Sequence, residues 1–287
     1  MKIFFKYAED AMVVYQSLCA KRSALSYAPQ CFKLVNSQLL VIDVTYSRDE
    51  VVHDMVIPVL TQFILKYKEQ HLLTRMLKEQ FFYSDEEEQQ QIIELVHALM
   101  GGEKAEIPQK TFTLPRDLLI TEALQDFLVH NVTFTLESFL QFRLKEYHQR
   151  LQYYLELSID EYKLEQDYQM FIHQLRQIVD FDSNKMSEVY VVHEQANVFR
   201  LYNHQLCQVS TEERAVLAQQ FVSQYESLYI DTTIIAPLIA LSPKKIYLYT
   251  DDGSHHDFIY TIQNIFQENV ILCDKKEATF TKTENIT

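Results

Sequence analysis

Between Thr135 and Phe181 the apolar positions step by threes and fours through a run that contains neither Gly nor Pro. Leu140, Leu144, Tyr147, Leu151, Tyr154 and Leu155 share one helical face, and Leu164, Tyr168, Phe171, Ile172, Leu175, Ile178 and Val179 share a second. On one unbroken helix the two stripes would centre roughly 100° apart, so they cannot both face a single flat neighbour. Either the helix is interrupted near Ser158 to Tyr162, or one long helix changes packing partner halfway along. Phe139 and Phe142 lie off the first stripe and predict burial on two sides. A coiled coil is disfavoured, because heptads begun at Leu140 and Leu144 put Glu161 and Glu165 into the seam.

On either side of this stretch the period alternates between helix and strand. Lys2 to Tyr7 reads as a strand, Ala8 to Leu25 as a helix, and CFKLV with LLVIDV as two strands around Asn36 and Ser37. Three capping boxes open helices: Ser47 to Glu50, Ser84 to Glu87 and Ser210 to Glu213. Pro58 should break or kink the first of these, Gly101-Gly102 should end the second, and Leu114-Pro115 opens another helix that runs to about Val129. A short turn through Asn131 then leads into the central stretch. Beyond Asp180, Glu188 to His193 and Val198 to Asn203 read as paired strands. KKIYLYT, DDGS, a helix over about 255–267 and NVILC then form a βαβ unit with a parallel pair.

The fold expected is α+β and mostly α-helical, with central long helices flanked by a small N-terminal β-α-β-β unit and a C-terminal α/β unit. Strands are expected only within about 1–46 and 186–273. The expected division is 1–46, a small α/β unit; 47–181, a helical domain; 186–274, a C-terminal α/β domain; and 275–287, a tail expected to be disordered.

Composition narrows the chemistry. Three glycines stand in 287 residues, where average usage would give about twenty. A Walker loop, a GxGxxG turn, a GxSxG elbow and a kinase glycine loop each need closely spaced glycines, and none can be written with this chain. A net charge of −14 repels phosphate backbones. The best basic patch, Arg143, Lys145, His148 and Arg150, contains Glu146, which stands in a favourable i,i+4 order to Arg150 and marks an exposed helical face.

Cys19, Cys31, Cys207 and Cys273 form no CxxC pair, as expected of reduced thiols in a cytosol. The amino terminus acquires Glu9 and Asp10 too early for a signal peptide. No uncharged apolar run reaches the ~18 to 20 residues of a membrane span, and IDTTIIAPLIAL, the nearest approach, carries Asp231 and Pro237. A soluble, cytoplasmic protein is expected.

Candidate chemistry is sparse. The turn Asp251-Asp252-Gly253-Ser254 falls where a predicted strand meets a helix, and two adjacent carboxylates there could hold Mg²⁺. Helix capping is the plainer explanation, since no basic residue or third ligand is visible nearby in the sequence. His204 and Cys207 at x2 spacing, with His193, His255 and His256 elsewhere, do not make a zinc site. The sequence nominates no catalytic residue, no metal ligand and no cofactor.

FLQFRLKEY at Phe139 to Tyr147 and DEYKLEQDYQMFIHQLRQIV at Asp160 to Val179 resemble the signature region of the YtxC-like sporulation proteins of endospore-forming bacteria. Phe139, Phe142, Arg143, Leu144, Lys145 and Tyr147 carry the first block of the resemblance. Asp160, Glu161, Leu164, Glu165, Tyr168, Phe171, Ile172, Leu175 and Val179 carry the second. The resemblance implies a cytoplasmic protein of a Bacillus-like cell with no catalytic motif. The function expected is a non-enzymatic interaction or scaffold role with a protein partner, and no nucleic acid is expected. Its candidate interaction residues are Phe139, Arg143, Lys145, Tyr147, Glu161, Glu165, Tyr168 and Arg176. The competing expectation is a metal-dependent phosphate-ester or nucleotide enzyme that uses Asp251 and Asp252. If the central helix is continuous, Arg143 and Glu161 are expected to project between the two stripes and to be at least partly covered.

Overall fold

Thr133–Thr135 (β4), which runs directly into the helix that Thr135 caps, completes the first sheet. The computed structural model describes residues 1–24, 31–45, 48–130, 132–181, 186–194, 198–225, 228–251 and 257–278. Within these, helix far outweighs strand, and the fold is α+β. The chain divides into two compact units, 1–163 and 164–287.

In the first unit Lys2–Phe4 (β1), Ala8–Ala24 (α1), Phe32–Val35 (β2) and Leu39–Ile42 (β3) fall where the pattern places them. Asn36 and Ser37 take the left-handed conformation (φ 50° and 57°) that a tight hairpin turn demands. Strand order is β2-β3-β1-β4, with β1 antiparallel to β3 and parallel to β4. β4 corrects the expectation that strands stop at residue 46 and resume at 186.

Helix continues through Pro58 instead of breaking there. Ile57–Phe63 (α2) lies between two π-helical segments, Glu50–Val56 and Ile64–Lys68. A proline ring crowds the carbonyl four residues back and supplies no N–H, and the wider preceding turn accommodates both. The capping box at Ser47 lies outside the described residues. At Ser84 the cap is Asp85 instead, whose carboxylate accepts from the Glu87 and Glu88 amides at 2.9 Å. It opens Glu86–Gly101 (α4), which follows Glu69–Glu79 (α3). Gly102 ends α4 in the left-handed region (φ 77°), as only glycine does without strain.

Arg116–Phe127 (α5) follows Pro115, and Leu136–Phe142 (α6) follows β4, capped by Thr135. Then comes Lys145–Phe181 (α7), unbroken through 158–162. The interruption sits at Arg143-Leu144, and the partner change is the alternative realised. Leu144, Tyr147, Leu151, Leu155 and Ile159 are buried in the core of the first unit with Ile3, Leu60, Leu73 and Ile120. Ile172, Leu175 and Val179 are buried in the core of the second. Phe142 is 70 % exposed and Leu164 66 % exposed, so both depart from the expected burial. The break at residue 143 turns the first outward, and the second belongs to neither buried core.

The second unit is a sheet of order β6-β5-β7-β8, built from Val189–His193 (β5), Phe199–Tyr202 (β6), Ile246–Thr250 (β7) and Val270–Asp274 (β8). β5, β7 and β8 run parallel, and β6 pairs with β5 antiparallel. Thr211–Gln224 (α8) opens with the expected capping box, its Ser210 and Glu213 bonded reciprocally. The Asp231 carboxylate, anomalous in an apolar run, accepts amides of Thr233, Ile234 and Ile235 just before the buried helix Ile235–Leu241 (α9). Asp257–Phe266 (α10) completes the βαβ unit and buries Ile259, Ile262, Ile265 and Phe266. Lys275–Glu277 is a 3₁₀ turn and Ala278 is buried. The remainder of the expected tail lies outside the described residues.

Candidate functional site

On α5, Leu119, Glu122, Ala123, Asp126 and Phe127 step by threes and fours onto one face, which forms a wall of an open groove of about 590 Å³. The break between α6 and α7 makes the other wall. There the Arg143 amide closes α6 on the Phe139 carbonyl (2.9 Å), and the His148 amide opens α7 on the Leu144 carbonyl (2.9 Å). Neither Gly nor Pro marks the interruption, which sends Arg143 and Lys145 into solvent on the groove side. One wall therefore carries Glu122 and Asp126, and the other Arg143, Lys145 and Glu146. Among the described residues none of these five charges is held in an ion pair. Arg143 lies over the Phe127 ring at 5.2 Å, and Phe127 packs edge-on to Phe134 (5.0 Å) and tilted against Phe139 (5.4 Å).

Tyr147 forms the back of the groove and links it to a buried polar cluster. Its hydroxyl donates to Glu69 Oε2 at 2.5 Å. The Glu69 side chain is 5 % exposed, with Arg116 Nη1 3.3 Å and His97 Nε2 4.0 Å from Oε1. Burial, then the negative charge of Glu69, pushes the Tyr147 phenol above the ordinary tyrosine range. Glu69, Arg116 and His97 are absent from the candidates drawn from the sequence. The available signal was Glu69 itself, a charge three and four positions before Leu72 and Leu73 on the buried face of α3.

The structure brings three of the eight candidates together at the groove: Arg143, Lys145 and Tyr147. Phe139 lies behind them and is buried. Glu161 is half-buried and Glu165 exposed, further along α7. Tyr168 and Arg176 meet on α10, where Asn264 Nδ2 donates to the Tyr168 hydroxyl (2.9 Å) and Arg176 Nε donates to the Asn264 carbonyl (2.7 Å). The continuous helix on which cover of Arg143 is conditional is not formed at that residue, and Arg143 is exposed in the break. The basic patch also disperses. Arg150 stacks 4.0 Å over Phe112 and donates to the Leu114 carbonyl, while His148 is half-buried and held below its ordinary pKa by burial.

At the other candidate position, Asp252 to Ser254 and His255-His256 lie outside the described residues. Asp251 is exposed, its Oδ2 3.4 Å from Lys275 Nζ, which also donates to the Glu194 carbonyl at 2.7 Å. A basic residue does therefore stand beside Asp251, supplied by the parallel register that sets Thr250 against Asp274. His193, 3 % exposed, meets Thr250 Oγ1 at 3.4 Å. His204 and Cys207 sit in a turn where Asn203 Oδ1 accepts from the Gln205 and Cys207 amides. Among the described residues no three His, Cys, Asp or Glu are grouped to hold a metal ion, and no helix is long and apolar enough to cross a membrane.

The profile of the YtxC-like family matches residues 54–271, a span that holds the groove, the Glu69 cluster, all of α7 and most of the second unit. The chain belongs to this family. It is 36 % identical over 213 residues to the uncharacterised protein YtxC of Bacillus subtilis strain 168, a match that covers 74 % of each chain. No solved structure matches it.

Proposed function

We propose that the chain is a non-enzymatic interaction protein of the cytoplasm of sporulating cells, and that it holds a protein partner in the groove between α5 and the α6–α7 break. The observation that carries this reading is the set of five charges that have no ion pair among the described residues, arranged as an acidic and a mainly basic wall over the apolar floor of Leu119, Ala123, Phe127 and Leu144. Such a groove supplies an apolar contact at its centre and charge selectivity at its rim. Its placement in sporulation rests on the family resemblance. Arg143→Glu combined with Lys145→Glu tests the groove. The melting profile should hold, since an exposed cation–π contact contributes only about 0.5 to 1 kcal/mol. The partner that copurifies with the parent from sporulating cells should be lost. Undiminished recovery of the same protein would overturn the assignment.

The metal-dependent alternative is weakened by Lys275, which already gives Asp251 a counter-charge. Zn²⁺ and Mg²⁺ should leave the melting temperature unchanged. A site filled at about 100 times its dissociation constant would add about 2.7 kcal/mol to the native state, so a clear upward shift would restore that reading.

A further inference from the structure

We propose that a second groove, between α1 and α2, docks an acidic segment of a protein partner through one apolar anchor side chain. Val13 of α1 and Pro58, Val59 and Phe63 of α2 give it an apolar floor, and Lys21 and Lys66 are the charged residues that line it. In a chain of net charge −14, a groove whose charges are both positive is set against the sign of the whole. Neither lysine is in an ion pair among the described residues. Lys68, next along the wall, is paired with Asp10 and lies over the Tyr7 and Phe63 rings, so it holds the wall in place.

The same wall carries a second feature. Lys66 and Tyr67 are delivered by the π-helical segment Ile64–Lys68. π-Helix is rare and concentrates at functional sites. The volume, about 320 Å³, suits one large side chain, with carboxylates on either side of it reaching the two ammonium groups.

A polypeptide fits better than a nucleic acid. Two lysines neutralise few phosphates, and the net charge opposes a polyanion. The Tyr67 ring is already stacked on Phe63 at 5.4 Å, which leaves it a poor platform for bases.

The test is selection of a random-peptide display library on the full chain, with counter-selection on the Lys21→Glu, Lys66→Glu double variant. The expected consensus places Asp or Glu around a single Leu, Ile or Phe. Its synthetic peptide should bind the double variant at least about tenfold more weakly, or about 1.4 kcal/mol, while Lys21→Arg with Lys66→Arg retains binding. Equal melting profiles for the three proteins separate docking from folding. A neutral or basic consensus, equal binding to parent and charge-reversed variant, or displacement by oligothymidylate would each overturn the proposal. The groove at Arg143 is not part of this test, so its outcome leaves that reading untouched.

Discussion

Glu69→Ala should lower the stability of the first unit by about 3 kcal/mol, the low end for removing one member of a buried charged pair. Its carboxylate is 5 % exposed, and its loss leaves the Tyr147 hydroxyl, in a residue 1 % exposed, without its acceptor. Arg116 retains some solvent at 39 % exposure, which keeps the cost from the upper end of that range. Tyr147→Phe should cost less, about 1.5 to 3 kcal/mol, the worth of a hydrogen bond to a charged group.

The cluster also sets a pH signature. The folded pKa of Tyr147 is raised above its unfolded value near 10, so its contribution is complete below about pH 10 and declines as pH rises through the folded value. Tyr83, Tyr162, Tyr190 and Tyr249 are raised in the same direction by burial first. Urea denaturation at neutral pH and again above about pH 10 should therefore show an alkaline loss of stability that is shallower in Tyr147→Phe. An unchanged midpoint for Glu69→Ala would mean that the cluster does not hold the helices together.

Leu151→Ala and Leu175→Ala should each cost about 2 to 5 kcal/mol, but in different places. Both residues are 0 % exposed on α7, the first in the core of the first unit and the second in that of the other. Native-state hydrogen exchange should show Leu151→Ala loosening α3 and α5, and Leu175→Ala loosening β5, β7 and α10. Leu164→Ala, between them and 66 % exposed, should stay within about 0.5 kcal/mol of the parent. Identical exchange changes for the two buried substitutions would contradict the assignment of α7 to two cores.

Periodic burial was legible where it ran long enough to repeat. The buried positions from Leu144 to Leu155 and from Ile172 to Val179, the closing βαβ unit and the capping box at Ser210 follow from spacing, because burial and amide satisfaction act on neighbouring residues. β4 was not legible, since Thr133–Thr135 runs directly into the helix that Thr135 caps. The break at Arg143-Leu144 carries no Gly or Pro, and the groove it creates arises only when α5 is set beside it. Of the eight candidates, that groove gathers Arg143, Lys145 and Tyr147. Glu69 and Lys275 reach Tyr147 and Asp251 from 78 and 24 positions away, distances at which no local pattern speaks.

The groove itself is tested most directly by photo-crosslinking in sporulating cells, with a benzophenone amino acid in place of Asp126 on the α5 wall. The account predicts one discrete adduct with another protein, absent when Arg143→Glu and Lys145→Glu are added and absent from the same probe placed at Glu165. An adduct that persists in the charge-reversed chain, or no adduct from position 126 while the partner still copurifies, would contradict it.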